Sequence, residues 1–383
     1  MRSPSKSDKV VAKKPAKAIS RYGKKKTEPT TPKKKQKDIN REIDKILEKE
    51  SYPVEYPVQV SSPVNCVSTG LYCLDLILSG GYRKGRMYTH LGGPSAGKSS
   101  LVQTAIAAAQ RAGIMIFYFD MESSAEALYM KKHGIVPQDE YKLPDGVKGF
   151  RYLSPENGED MYRLAIKFMR MLPEDTSPND VPRVIFLCDG YESMTSKGVN
   201  EDKNPIGAYA RMHSVYQKLI RRWLRKTGAI WVATNQFRTT GIGSFFVNAE
   251  DDAGGWALKF YSDAKTKIRR SKPGSSGLPD NICKFTIETT RNRMAAPYKK
   301  IELRFIMNRG VDKLYDRLVF LWITGKVKRD EGKWIVEGKK YTAEKARLLM
   351  KEPEWAKLCA KLIKDPKTYE TFFSEETRAE WVA

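Results

Sequence analysis

The run GGPSAGKSS, from Gly92 to Ser100, has the residue types and spacing that bind phosphate: Gly92, Gly97, Lys98 and Ser99 satisfy the pattern G-x4-G-K-[ST]. Glycines let backbone amides turn toward the β- and γ-phosphates, and a helix starting where the loop ends adds partial positive charge. Gly92, Gly93, Pro94, Ser95, Ala96, Gly97, Lys98, Ser99 and Ser100 are all candidates for the cradle. Lys98 would neutralise phosphate charge, and Ser99 would ligate magnesium. A chance Gly-rich turn is the alternative. The flanks argue against it, because the apolar run Met87–Leu91 precedes the loop and an Ala-rich helical stretch, Leu101–Arg111, follows.

Two carboxylates are placed to join this loop. The apolar run from Val184 to Cys188 ends in Asp189, a second nucleotide-site pattern in which the aspartate would hold the magnesium shell through water. Many strands end in Asp, so this reading depends on the phosphate loop that precedes it. Between the two lies FYFDMESSAEALYMKKHGI, from Phe117. Glu122 stands just past a strand end, where carboxylates of such folds point at the nucleotide, and would orient or deprotonate an attacking water. Read locally, it is equally a surface glutamate or a helix cap.

The elements that must hold these residues follow the pattern of an α/β domain. From about Pro63 to Gly310, short β-rich runs alternate with helical stretches, which predicts a largely parallel sheet. The clearest strands are Met87–Leu91, Ile114–Phe119, Val184–Cys188 and Ala229–Thr234. Residues 311–383 change character, mixing a short strand pair around Trp334 with helices such as Ala343–Met350, and read as a small α/β C-terminal domain. Residues 38–62 read as an amphipathic helix, Ile39 to Glu50, followed by an extended connector with prolines at 53, 57 and 63.

Charge and composition limit the partners. The chain has 383 residues and a formal net charge of +24. Residues 1–37 hold 14 Lys/Arg and 2 Asp/Glu, so the arm carries half of that excess, and the same is true of the rest. A polyanionic partner suits this balance, and a solubilising tail on a basic enzyme is the bland alternative. The arm is Lys-, Pro-, Ser- and Thr-rich and cannot bury enough surface to order itself. Its preference for Lys fits a nucleic-acid-binding arm better than a transit peptide. No apolar run approaches the ~20 residues of a membrane span, and no secretory core follows Met1. Five scattered cysteines and three histidines support neither a disulfide framework nor a zinc site, and the expected setting is a reducing cytoplasm.

The order and wording of the motifs resemble the RecA family of DNA recombinases. STGLYCLDLILSGGYRKGR from Ser68 resembles the start of its ATPase core. GGPSAGKSS and YFDMESSAEALYMKKHG resemble its phosphate loop and catalytic-glutamate segment. ATNQFRTTGIG from Ala233, DDAGGWALKFYSDAKTKIRR from Asp251 and TRNRMAAPYK from Thr290 resemble its sensing glutamine, the end of its second DNA loop and its neighbour-reaching segment. The likeness runs from about Ser68 to Leu362. It implies ATP and Mg2+ as cofactors and a helical filament as the assembly. Single-stranded DNA and homologous duplex are the implied partners, alongside single-strand-binding and mediator proteins, in the cytoplasm of a cell or of an infected host.

The resemblance also implies roles. Glu122 falls on the catalytic glutamate, Tyr129 on the aromatic that stacks on adenine, and Gln236 on the glutamine that senses the γ-phosphate. Without the resemblance, Tyr129 reads as a core tyrosine. Phe260 falls on an aromatic at the subunit boundary. Arg291 and Arg293 fall on basic residues, lysines in many bacterial members, that complete the neighbouring protomer's ATP site. The first DNA loop is expected around Gly198–Met212 with Arg211, which could also be a solvated helix arginine. The second is expected from Arg238 to Gly255, with Phe245, Phe246, Gly254 and Gly255 toward DNA. This loop is one residue longer than the common bacterial form, the basic arm is unusual, the C-terminus is only mildly acidic, and Trp256 replaces a small polar residue. These departures mark a divergent member, with a viral origin one reading. Two rivals remain: a RecA-core helicase, and a non-catalytic paralogue that assists a recombinase.

Overall fold

The computed structural model describes residues 66–175, 182–197, 207–240, 249–252 and 256–373. In chain order the first half runs β1 (Cys66–Val67), α1 (Tyr72–Ile77), β2 (Tyr82–Arg83), β3 (Met87–Gly92), α2 (Lys98–Arg111), β4 (Met115–Asp120), α3 (Ala127–Lys132), β5 (Phe150–Leu153), α4 (Gly158–Met171) and β6 (Val184–Asp189). It continues with α5 (Ala208–Thr227), β7 (Ile230–Asn235), β8 (Phe237–Thr240), β9 (Ala249–Asp252), α6 (Trp256–Tyr261), β10 (Ala264–Arg270), β11 (Ile282–Asn292), β12 (Lys300–Ile306) and β13 (Gly310–Val311). Last come α7 (Lys313–Ile323), β14 (Lys328–Asp330), β15 (Lys333–Val336), β16 (Lys339–Tyr341), α8 (Ala343–Leu349), α9 (Pro353–Leu362) and α10 (Pro366–Phe373). The arm 1–37 and the helix and connector 38–62 lie outside the described residues.

Nine strands form one sheet in the order β13-β12-β11-β10-β3-β7-β6-β4-β5. From β10 to β5 every neighbouring pair is parallel, and β11, β12 and β13 extend the edge antiparallel. The architecture is therefore the α/β fold with a mainly parallel sheet that the alternating pattern predicts, in agreement with the core that the resemblance implies. The strands β3, β6 and β7 are buried along their whole length, as strands covered on both faces must be.

Alternation divides the core. Tyr88, Ile116, Tyr118, Ile185, Leu187, Ile230 and Val232 pack in one cluster with Leu101, Val102 and Ala105 of α2. Their neighbours Met87, Phe117, Phe119, Phe186, Cys188, Trp231 and Ala233 pack in another, with Met161, Ala165 and Met169 of α4 and Ile220 and Leu224 of α5. A period of two sends successive side chains to opposite faces, so continuous apolar runs feed two cores.

Each of the four clearest strands ends one residue past its expected end, at Gly92, Asp120, Asp189 and Asn235. Those added residues include the polar strand ends from which the site is built. The strand pair expected around Trp334 is a three-stranded antiparallel sheet, and Trp334 is buried in the same cluster as α2 and the first face of the main sheet. The link is also polar. Asp316 of α7 accepts from the amides of Tyr72 at 2.7 Å and Cys73 at 3.0 Å, capping α1 from far along the chain. Burial pushes the Asp316 carboxyl up to about 6, against the pull of those amides.

Candidate nucleotide site

The phosphate-loop motif leaves β3 at Gly92 and enters α2 at Lys98. Gly97 caps the helix with φ of 98°, and a Cβ there would stand 2.9 Å from Phe285 Cε2, so both conformation and space require glycine. No side chain caps this 14-residue helix and its first turn has no acidic residue. Its leading amides are thus left for an external acceptor, and the helix dipole favours an anion at that end.

Lys98 is buried, and its Nζ donates to the carbonyls of Gly92 at 3.3 Å and Gly93 at 3.2 Å. Ser99 lies beside Asp189 and lowers its pKa. The Asp189 carboxylate is fully buried and accepts from Thr234 Oγ1 at 2.6 Å and Tyr118 OH at 3.2 Å. Burial raises its pKa, and these donors oppose the rise.

Glu122 follows the β4 end, with its amide donating to Asp120 Oδ1 at 3.1 Å. Its side chain lies against Gly190, where a Cβ would stand 2.5 Å from Glu122 Cγ; Gly190 has φ of 90°. The glycine after Asp189 therefore makes room for Glu122. Although Glu122 is exposed, its carboxyl is pushed up to about 7, first by the part withdrawn from water, then by Asp189 and Glu192, with Lys98 pulling the other way.

The outer wall is a cleft of about 440 Å³ lined by Pro94 through Ser100, Glu122, Tyr129 and Gln236. Tyr129 OH lies 2.7 Å from Ser100 Oγ, and its ring meets His133 edge-on at 4.8 Å. Gln236 is the single residue between β7 and β8. The structure thus brings the loop, Glu122, Tyr129 and Gln236 to one cleft, with Asp189 buried behind it.

Arg291 and Arg293 lie elsewhere. Arg291 pairs with Lys265 in β10, whereas Gly92 pairs with Ile268, three residues further along. That sets the arginine end of the sheet roughly 10 Å back from the start of the phosphate loop, which itself leads away in the opposite direction. Arg293 donates to Asp263 Oδ1 at 3.3 Å and to the carbonyl of Phe260 at 3.1 Å. Phe260 itself is 57% exposed. Desolvation and the neighbouring Arg293 lower the pKa of Arg291.

Of the residues assigned to DNA, Arg211 is exposed near the start of α5. Arg238 lies in β8, paired with Asp251 of β9. Phe245, Phe246, Gly254 and Gly255 lie outside the described residues, as do 198–206 of the first loop. Three further residues escaped the sequence reading. Glu192 faces Lys98, Arg270 lines the cleft, and Asp263 gathers Arg86, Arg221 and Arg293. Only Glu192 had a local signal, an acidic residue in the turn three positions after Asp189.

Among the described residues no helix is long and apolar enough to cross a membrane. The family model described as the RecA N-terminal domain matches residues 34–150 and 190–312. These two stretches make up more than half of the chain and contain the phosphate loop, Glu122, Gln236 and both arginines. The chain belongs to the RecA family.

Proposed function

We propose that this protein is an ATP-dependent recombinase that polymerises on single-stranded DNA and carries out homologous pairing and strand exchange in recombination and repair. RecA-family proteins are in general DNA-dependent ATPases that act in recombination and repair, and they bind ATP with Mg2+. The observation that carries the finer reading is the position of Gln236. It lines the cleft of the phosphate loop, and the next residue begins the hairpin β8–β9, the segment assigned to DNA. A group that feels the γ-phosphate is thereby one peptide bond from a DNA-binding strand.

In this reading the amides of Ser95–Ser100 and the Lys98 ammonium hold the phosphates. Tyr129 supports the adenine. Glu122 orients the attacking water and accepts its proton; a carboxyl poised near 7 suits a base working at neutral pH. Ser99 and Asp189 fit magnesium, which takes few protein ligands and keeps phosphate oxygens and waters. Bound there, it would neutralise charge on the phosphates. Arg291 and Arg293, turned away from their own loop, would serve the ATP of the adjoining protomer in a filament.

The direct test is a strand-exchange assay, using a circular single strand and a homologous linear duplex, with ATP and magnesium. Joint molecules are expected. Processive unwinding of forked duplex without homologous pairing would favour a helicase, and neither activity with intact DNA binding would favour an assisting paralogue.

A further inference from the structure

The turn after β6 carries a carboxylate that the nucleotide reading does not use. Glu192 lies in the 3-10 turn Tyr191–Ser193. Its side chain is 10% exposed, and its Oε1 stands 3.5 Å from Lys98 Nζ, on a side chain 6% exposed. Neither Glu192 carboxylate oxygen has a hydrogen-bond partner among the described residues. The turn is held firmly. Tyr191 OH accepts from Trp231 Nε1 at 2.6 Å and from Gln217 Nε2 at 3.0 Å, and the Tyr191 carbonyl accepts from the Tyr209 hydroxyl. Glu192 is therefore presented to Lys98 by a braced segment.

A buried carboxylate is costly unless a cation compensates it. Lys98 is the cation that Glu192 meets, and the nearby acidic groups Glu122 and Asp189 are of its own sign. Phosphates in the loop would draw on that same ammonium. They must compete with a carboxylate whose other close neighbour, Glu122, is acidic too.

We infer that Glu192 is a positioning residue that holds the Lys98 ammonium toward the β6 turn and competes with nucleotide phosphates for it, weakening binding of nucleoside di- and triphosphates and speeding their release. The inference rests on the reading of Gly92–Ser100 as the nucleotide cradle. It adds a built-in opponent to that site.

Equilibrium titration of the full chain with fluorescent analogues of ADP and ATP, in magnesium, tests it, alongside thermal melting of every variant. Glu192→Gln keeps shape and removes charge, and is expected to bind about tenfold more tightly than wild type, equivalent to about 1.4 kcal/mol, mainly through slower dissociation. Glu192→Asp keeps the charge and is expected to stay near wild-type affinity. Lys98→Ala is expected to bind neither analogue. Unchanged or weaker binding by a normally melting Glu192→Gln overturns the inference, while loss of binding in Lys98→Ala leaves the cradle standing. An equal gain in Glu192→Asp assigns the effect to side-chain length and also overturns it. Retained binding in Lys98→Ala defeats the cradle itself. If neither Glu192 variant folds, the residue is structural and the inference falls.

Discussion

Thr234 at the end of β7 bridges two elements of the site: its hydroxyl donates to Asp189 Oδ1 at 2.6 Å and accepts from the Gly190 amide at 2.7 Å. The bridge locks the end of β6 to β7 where Asp189 meets Ser99. Thr234→Val would leave a buried carboxylate and a buried amide each short of a partner, at a cost of about 1–3 kcal/mol. Asp189, already raised by burial, would rise further on losing a donor. A lower melting temperature and a greater magnesium requirement for nucleotide binding are expected. Wild-type values for both would show that water replaces the bridge.

Glu122 gives a pH signature. With its carboxyl near 7, the deprotonated form that can act as a base grows as pH rises through that value and is lost below it. DNA-dependent hydrolysis should therefore climb between about pH 6 and 8 and then level. Glu122→Gln should bind ATP and DNA but hydrolyse at least tenfold more slowly, about 1.4 kcal/mol in barrier, and lose that rise. A variant that keeps either the rate or the climb excludes Glu122 as the base.

The two arginines should act across a boundary. Arg291→Ala with Arg293→Ala should stop hydrolysis in homogeneous filaments. Mixed with Lys98→Ala, the double variant should recover part of it, at junctions where one protomer's intact loop meets the other's intact arginines. Arg293 also holds Asp263, so melting curves must accompany the assay. Mixed filaments that stay inactive, with both variants folded, would point to a role within one protomer.

Replacing Phe245 and Phe246 with alanine should weaken single-strand binding by ~1–3 kcal/mol for each base that no longer stacks on a ring. ATP binding without DNA should persist. Fluorescence anisotropy with a labelled oligonucleotide measures the first and analogue titration the second. Unaltered DNA affinity together with normal strand exchange would remove these residues from the DNA surface.

Much of the fold and half of the site could be read from the chain alone. Gly92 to Ser99 is a contiguous stretch whose loop, cap and helix follow from local backbone preference, and alternating apolar runs marked the strands to within a residue at their ends. Asp189 was legible for the same reason, since it stands directly after an apolar run, whereas Gln236 was assigned through family likeness and reads locally as one of two polar strand-end residues. Tyr129 and the arginines were assigned through family likeness; nothing in their local sequence distinguishes a nucleotide contact from a core ring or a solvated base.

Tertiary structure decided what depends on burial and on partners distant in sequence. Glu192 is an unremarkable acidic residue until the β6 turn presses it against Lys98. Asp263 becomes an anchor because Arg86, Arg221 and Arg293 arrive from three segments far apart in the chain. Asp316 looks like any helix aspartate until α7 packs on α1 and gives it the amides of Tyr72 and Cys73. Local sequence determines backbone preference and the face a residue occupies, because those depend on near neighbours in the chain. The charge a side chain meets, and the water it loses, are set only when remote segments pack together.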